Sequence, residues 1–387
     1  TFGGTINGGQ ALSLVAGAGN ITLSGAIGGT TRLGVLTITS AAGVTASGTI
    51  TATSIVQSAG TGTSSFQGLN TNASGGINLT GTIFSFSGAV TTTGTGIFNL
   101  VNSGSATFGS DADLSLDGAF TQSGGGTVTT GADIITTDDV ITFTNNVVLS
   151  SNVEITSAGG NVTFNGTINA TTEGGQSITI NACTPGSVTL NAVGNVEELN
   201  TITVTTDDLS TLGTVNTTGL QTFNPCSDTV DLAGTYNTGG ANFVVSGNAT
   251  LVGNTTINAD GGNITFSGVL DGGYTLNCNS TGTTLFSQNV GATTALTSIT
   301  TNAGGAFSAK DITTTGVQTL ANDTITLNGT YTTTDSAFTA EGAVTLGGAT
   351  TVSTGSGAVD FDSTVNGAYA FVVNSTGATT FAGNMEI

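Results

Sequence analysis

Two Thr-Asp-Asp motifs place carboxylates side by side, at Asp138-Asp139 and Asp207-Asp208, 69 residues apart. A carboxylate pair can supply the acid and the base of glycoside hydrolysis. Here the pairs have little help. The chain has no His, and its only cationic side chains are Arg32 and Lys310. No basic cluster stands ready to share a proton or grip an acidic sugar. Asp at a strand end is also a common turn former, and turn formation is the expectation for both motifs. Asp111, Asp113 and Asp117 alternate in one segment, and Asp360 and Asp362 share a face, which suits the oxygen chemistry of calcium. The Gly-Gly-x-Gly-x-Asp calcium repeat is absent, so solvated surface carboxylates are expected instead. With no His and three scattered Cys, a transition-metal site is excluded. No catalytic, cofactor-binding or metal-binding residue is assigned.

The cysteines carry a different chemistry. Both prolines of the chain adjoin one, in Cys183-Thr184-Pro185-Gly186 and Asn224-Pro225-Cys226. Proline is kept out of central strand ladders, so each pair belongs in a turn. The expectation is a disulfide between Cys183 and Cys226 across neighbouring coils, in keeping with an extracellular setting. Three reduced cysteines are the alternative. Cys278 falls at an inward strand position, aligned with Val373, and reads as a buried free thiol.

The elements that hold these residues follow from composition and period. There are 61 Gly and 2 Pro, 37% hydrophobic residues and only 6% charged ones. Apolar residues alternate with Thr, Ser and Asn, which is the period of strands. Strong helix formers are scarce. No apolar run approaches the roughly 20 residues of a membrane-spanning helix. A Gly-turn, strand, Gly-turn motif recurs five times. Its clearest copies are Gly159-Gly160-Asn161-Val162-Thr163-Phe164 and Gly261-Gly262-Asn263-Ile264-Thr265-Phe266. The equivalent aliphatic residues Ile6, Ile83, Ile168, Leu270 and Val365 lie 77, 85, 102 and 95 residues apart. Gly234-Thr235-Tyr236 likewise matches Gly329-Thr330-Tyr331.

Self-similarity on this scale points to a solenoid or to an array of sandwiches. Short even strands, recurring Thr, Ser and Asn, and the lack of Trp or a domain-scale linker favour the solenoid. The expected fold is all-β, a right-handed parallel β-helix of roughly 20-residue coils. Residues 1–387 are expected to form one continuous solenoid segment of degenerate superunits, as part of a longer repeat protein. Alternation places Val162, Phe164, Ile264, Phe266, Val359 and Phe361 inside, with Thr163, Asp360 and Asp362 on the surface.

The Gly-Gly-Asn-Ile-Thr-Phe-Ser-Gly motif, the following Gly-Gly-Tyr-Thr-Leu and the Asn-Ser-Thr-Gly-Thr-Thr-Leu-Phe run resemble the strand repeats of giant bacterial surface proteins. These are the filamentous-haemagglutinin-like β-helical adhesins. The resemblance spans nearly the whole chain and is strongest from Gly219 onward. It implies a stalk, filament or adhesive rod, and it transfers no catalytic or binding residue.

Function classes narrow accordingly. A net charge of −21 with two cationic side chains lacks the basic footprint that nucleic acid requires and disfavours anionic membrane surfaces. The expected role is a non-enzymatic structural segment of a secreted or surface-attached protein, at the cell surface or outside the cell, with no cofactor. Its partners would be further copies of itself, a host or neighbouring cell surface, or polysaccharide. No nucleic acid partner and no membrane insertion are expected. One rival is an adhesin or ice-binding module using a flat Thr-rich face, suggested by Thr91-Thr92-Thr93, Thr300-Thr301 and Thr332-Thr333-Thr334. Against it, Thr recurs throughout the sequence rather than at one fixed position of each coil, and ordinary strand propensity explains outward Thr. A carbohydrate-active β-helix enzyme is the second rival.

Overall fold

The computed structural model describes residues 1–387 except Thr184, Leu212, Asp228 and Ala303. Strands, turns and bends account for the described residues, with no helix among them. The described strand pairings are parallel, and a strand bonds the one two or three places further on, two where a long strand spans a corner of the coil. The fold is a right-handed parallel β-helix with three strands per turn. Two compact units are present, residues 1–199 and 200–387.

In the first unit one inward column runs Leu12, Leu36, Ile55, Ile77, Phe98, Phe120, Ile141, Val162 and Val188. Turn length varies along it, from 19 residues between Leu36 and Ile55 to 26 between Val162 and Val188. Most strands are three to five residues long, and the three-residue ones typically turn their ends inward and their middle outward, as in Ile141–Phe143 and Ile264–Phe266. Aromatic rings fill the interior coil upon coil. Phe86 stacks on Phe66 at 5.8 Å and on Phe108 at 4.5 Å. Phe143 stacks on Phe164 at 4.9 Å. Each buried ring contributes about 1.5–3 kcal/mol through burial, and stacking adds roughly 0.5–1.5 kcal/mol.

The inward positions expected for Val162, Phe164, Ile264, Phe266, Val359 and Phe361 are all buried. The equivalent residues of the motif copies do not all share one environment. Ile83 is 36% exposed although Ile168, Leu270 and Val365 are buried. Strand Ile83–Phe86 turns Phe84 and Phe86 inward, and period two then sends Ile83 out. Asp360 takes the outward middle of strand Val359–Phe361, half-buried like Thr163, and its Oδ1 is enclosed without a hydrogen bond.

The second unit shows what the Gly-Thr-Tyr repeat builds. Gly234 and Gly329 have φ of +90° and +123°, a region that favours glycine. Each sits at a register shift in its strand. Two residues later, Tyr236 and Tyr331 turn fully inward. Tyr331 donates its hydroxyl to Ala309 O at 2.9 Å and accepts Asn328 N–H at 3.2 Å. Tyr236 meets the Thr211 hydroxyl at 3.2 Å. Burial pushes the Tyr236 hydroxyl up to about 12, with that hydrogen bond pulling the other way.

The superunit is not a whole number of turns. From Tyr236 the inward column passes through Ile257, Cys278, Thr301, Leu320 and Ala340. Tyr331 lies instead in the column Ile312, Tyr331, Val352 and Val373. Ninety-five residues therefore make four turns and part of a fifth, and equivalent residues of the two copies emerge on different faces.

Candidate binding face

Turn carboxylates and amides reach across to the next coil. Asp207 Oδ1 accepts the main-chain N–H of Cys226 at 2.7 Å and of Ser227 at 2.9 Å, while Oδ2 accepts the Ser227 hydroxyl at 2.8 Å. Asp113 Oδ1 accepts Asp133 N–H at 2.9 Å, and Asp133 Oδ1 accepts Glu154 N–H at 2.6 Å. Asp117 accepts Thr95 N–H at 2.8 Å on one side and the Thr137 hydroxyl at 3.3 Å on the other. Asn161 and Asn263, from the repeated motif, cap Ser187 and Thr283 N–H at 3.0 and 2.8 Å. A buried or half-buried N–H left without an acceptor is costly, so the short polar side chains of the turns have a structural task. Asp138 is exposed at its turn, and Asp139 accepts the Thr136 hydroxyl through its main-chain oxygen at 2.6 Å. Among the described residues no group of three His, Cys, Asp or Glu side chains could hold a metal ion.

Two carboxyls, Asp335 and Glu198, are perturbed. Main-chain and hydroxyl hydrogen bonds from Ser356, at 2.9 and 3.1 Å, hold Asp335 below its ordinary value. Glu198 is raised, first by desolvation and then by the neighbouring Glu173 carboxyl. Of the cysteines, Cys278 is buried as a free thiol, and burial pushes its ionisation up. Neither Cys183 nor Cys226 is a free thiol. Thr184, beside Cys183, lies outside the described residues.

The Thr runs divide between inside and outside. Thr91, Thr300 and Thr332 are half-buried on the outer surface, whereas Thr92, Thr301 and Thr333 are buried. The inward members close turns: Thr92 donates to Gly96 O at 2.6 Å, and Thr333 donates to Ser336 O. Thr91 and Thr332 stand in columns of mixed residues, Asn70, Thr91, Ser115 and Ile135 in one and Thr313, Thr332, Ser353 and Asn374 in the other, but two other outward columns are nearly uniform. On one face of the first unit the middle of each strand reads Thr22, Thr45, Ser65, Ser85, Thr107 and Thr129. In the second unit a column reads Thr214, Thr235, Thr256, Asn277, Thr300, Thr319 and Thr339.

Beside that second column runs another, of amides. Asn237 donates to Asn216 Oδ1, Asn258 to Asn237 Oδ1, and Asn279 to Asn258 Oδ1, each at 2.6 Å. Stacked amides of this kind tie coil to coil. Ladders of recurring Thr, Ser and Asn are what a solenoid leads one to expect, but the sequence reading did not single out these residues. Their signal was present as Thr-x-Asn at 214–216, 235–237 and 256–258, an interval of 21 residues.

Fold and surface together define a β-solenoid whose coils are held by polar ladders as well as by a packed interior. Comparison with protein-family models, curated proteins and solved structures returns no match for this chain.

Proposed function

We propose that the chain is a non-enzymatic structural segment of a secreted or surface-attached β-solenoid protein, serving as a stalk, adhesive rod or extracellular filament. The observation that carries this reading is the engagement of turn side chains such as Asp207, Asp113, Asp133 and Asp335 with main-chain N–H groups of the next coil. Carboxylates used in this way hold coils together rather than converge on a substrate. The resemblance to filamentous-haemagglutinin-like adhesins agrees with it. A Cys183–Cys226 disulfide would suit an oxidising, extracellular compartment.

Self-association completes the proposal. Sedimentation velocity over a hundredfold range of concentration, with electron microscopy of the same samples, tests it. Concentration-dependent growth into fibres or lateral bundles is expected. A single monomeric species throughout, seen as separate particles, contradicts the filament role.

A further inference from the structure

The paired columns of the second unit carry no charged residue from Thr214 and Asn216 to Thr300 and Asn302, although the chain as a whole has a net charge of −21. Each rung offers a hydroxyl or amide beside an amide. Asn237 and Asn258 each use one N–H and one oxygen site in the ladder, and a primary amide has a further N–H and a further lone pair. One aromatic residue borders this lattice. Tyr274 opens the rung of Asn277 and Asn279 and is 42% exposed. Of the four tyrosines, Tyr236 and Tyr331 are fully buried, and Tyr369, the repeat equivalent of Tyr274, is again exposed, at 52%. The strand that follows Tyr369 pairs with Thr351 and Ser353 rather than with an amide column, so only Tyr274 stands at the start of a ladder rung.

We propose that Tyr274, Thr256, Asn258, Asn277 and Asn279 form a binding face for a neutral polysaccharide. Charge selects the ligand class. An acidic glycan or nucleic acid would be repelled by the surrounding carboxylates, and a cationic partner would find no countercharge within the columns. A neutral sugar presents the matching groups. Its hydroxyls exchange hydrogen bonds with amide and Thr hydroxyl, and the C–H face of a ring packs on an aromatic edge residue. The repeat of rungs along the coil axis lets one long chain engage several at once. This inference goes beyond the structural role and does not depend on filament formation.

Affinity electrophoresis of the full chain in gels containing hydroxyethylcellulose, galactomannan or xyloglucan tests it, with polygalacturonate as the acidic control. Retardation is expected in at least one neutral gel and not in polygalacturonate. Tyr274→Ala, which leaves the ladder intact, should weaken it about tenfold. Asn258→Asp should weaken it similarly, while Thr265→Asp on another face should not. Circular dichroism of each variant reports whether the fold is kept. No retardation in any neutral gel overturns the proposal, as does undiminished retardation of folded Tyr274→Ala. Variants that change sedimentation but not retardation would make the face a contact between copies, and that too overturns it.

Discussion

The Asp207 carboxylate receives the main-chain N–H of Cys226, nineteen residues further along, at 2.7 Å. Bonds of this span join one coil to the next rather than one strand to its own turn. Removing the acceptor leaves two N–H groups and one hydroxyl to find water. Asp207→Ala should therefore cost about 1–3 kcal/mol, and Asp207→Asn should cost less because one acceptor remains. Urea unfolding of the two variants checks the order.

The amide ladder makes a second prediction. Asn258 both donates to Asn237 and accepts from Asn279. Asn258→Ala should lose about 1 kcal/mol per broken bond, and Asn237→Ala, which likewise gives up one donated and one accepted amide bond, should lose a similar amount. Thermal unfolding of the two variants and their double mutant measures the coupling. Strict additivity would mean that the ladder does not act as a unit.

Tyr331 supplies a third. Its hydroxyl links Ala309 O to Asn328 N–H inside the second unit. Tyr331→Phe keeps the ring contact with Phe338 but strands both main-chain groups, and should cost about 1–3 kcal/mol. Gly329→Ala should also destabilise, since φ is +123° and a Cβ there would lie 2.3 Å from Asp311 Oδ1. Unchanged unfolding midpoints for both variants would contradict this packing.

Acid and base should act oppositely on two carboxyls. Asp335 is depressed by its Ser356 hydrogen bonds. Its contribution is present above the ordinary Asp value near 3.9 and lost as pH falls through its lower folded value. Glu198 is raised by burial and Glu173. Its contribution is present below the ordinary Glu value near 4.3 and lost as pH rises through its higher folded value. Asp335→Asn should flatten the acid limb of a stability–pH curve, and Glu198→Gln the limb just above. Carboxyl carbon titration by NMR gives the direction of each shift directly.

Thiol counting tests the cysteines. Folded protein without reductant should not react with a thiol reagent, because Cys278 is buried and its ionisation raised. Denaturation should expose one thiol per chain, and a peptide linking Cys183 to Cys226 should be recovered from the unreduced digest. Three reactive thiols would contradict the disulfide.

Period and composition made the inward set readable, because Val162, Phe164 and their counterparts follow strict alternation. The bond partners of Asp207 or Asn161 were not readable. A turn residue finds its N–H about one coil away, and coil length drifts between 19 and 26 residues even along one column. Ile83 points outward while its motif counterpart Ile168 is buried, since a one-residue slip exchanges inside for outside. Thr columns were obscured because adjacent Thr residues serve opposite faces: Thr91 points out while Thr92 latches a turn.

Stretching single molecules by their two ends tests the structural role most directly. Coils held by ladders and a packed interior should resist, then yield in discrete force peaks. Each coil of about 21 residues should release on the order of 70 Å of chain, and Asp207→Ala should lower the force at which part of the sequence of peaks appears. Smooth extension without peaks, as for an unstructured chain, would contradict a mechanical function.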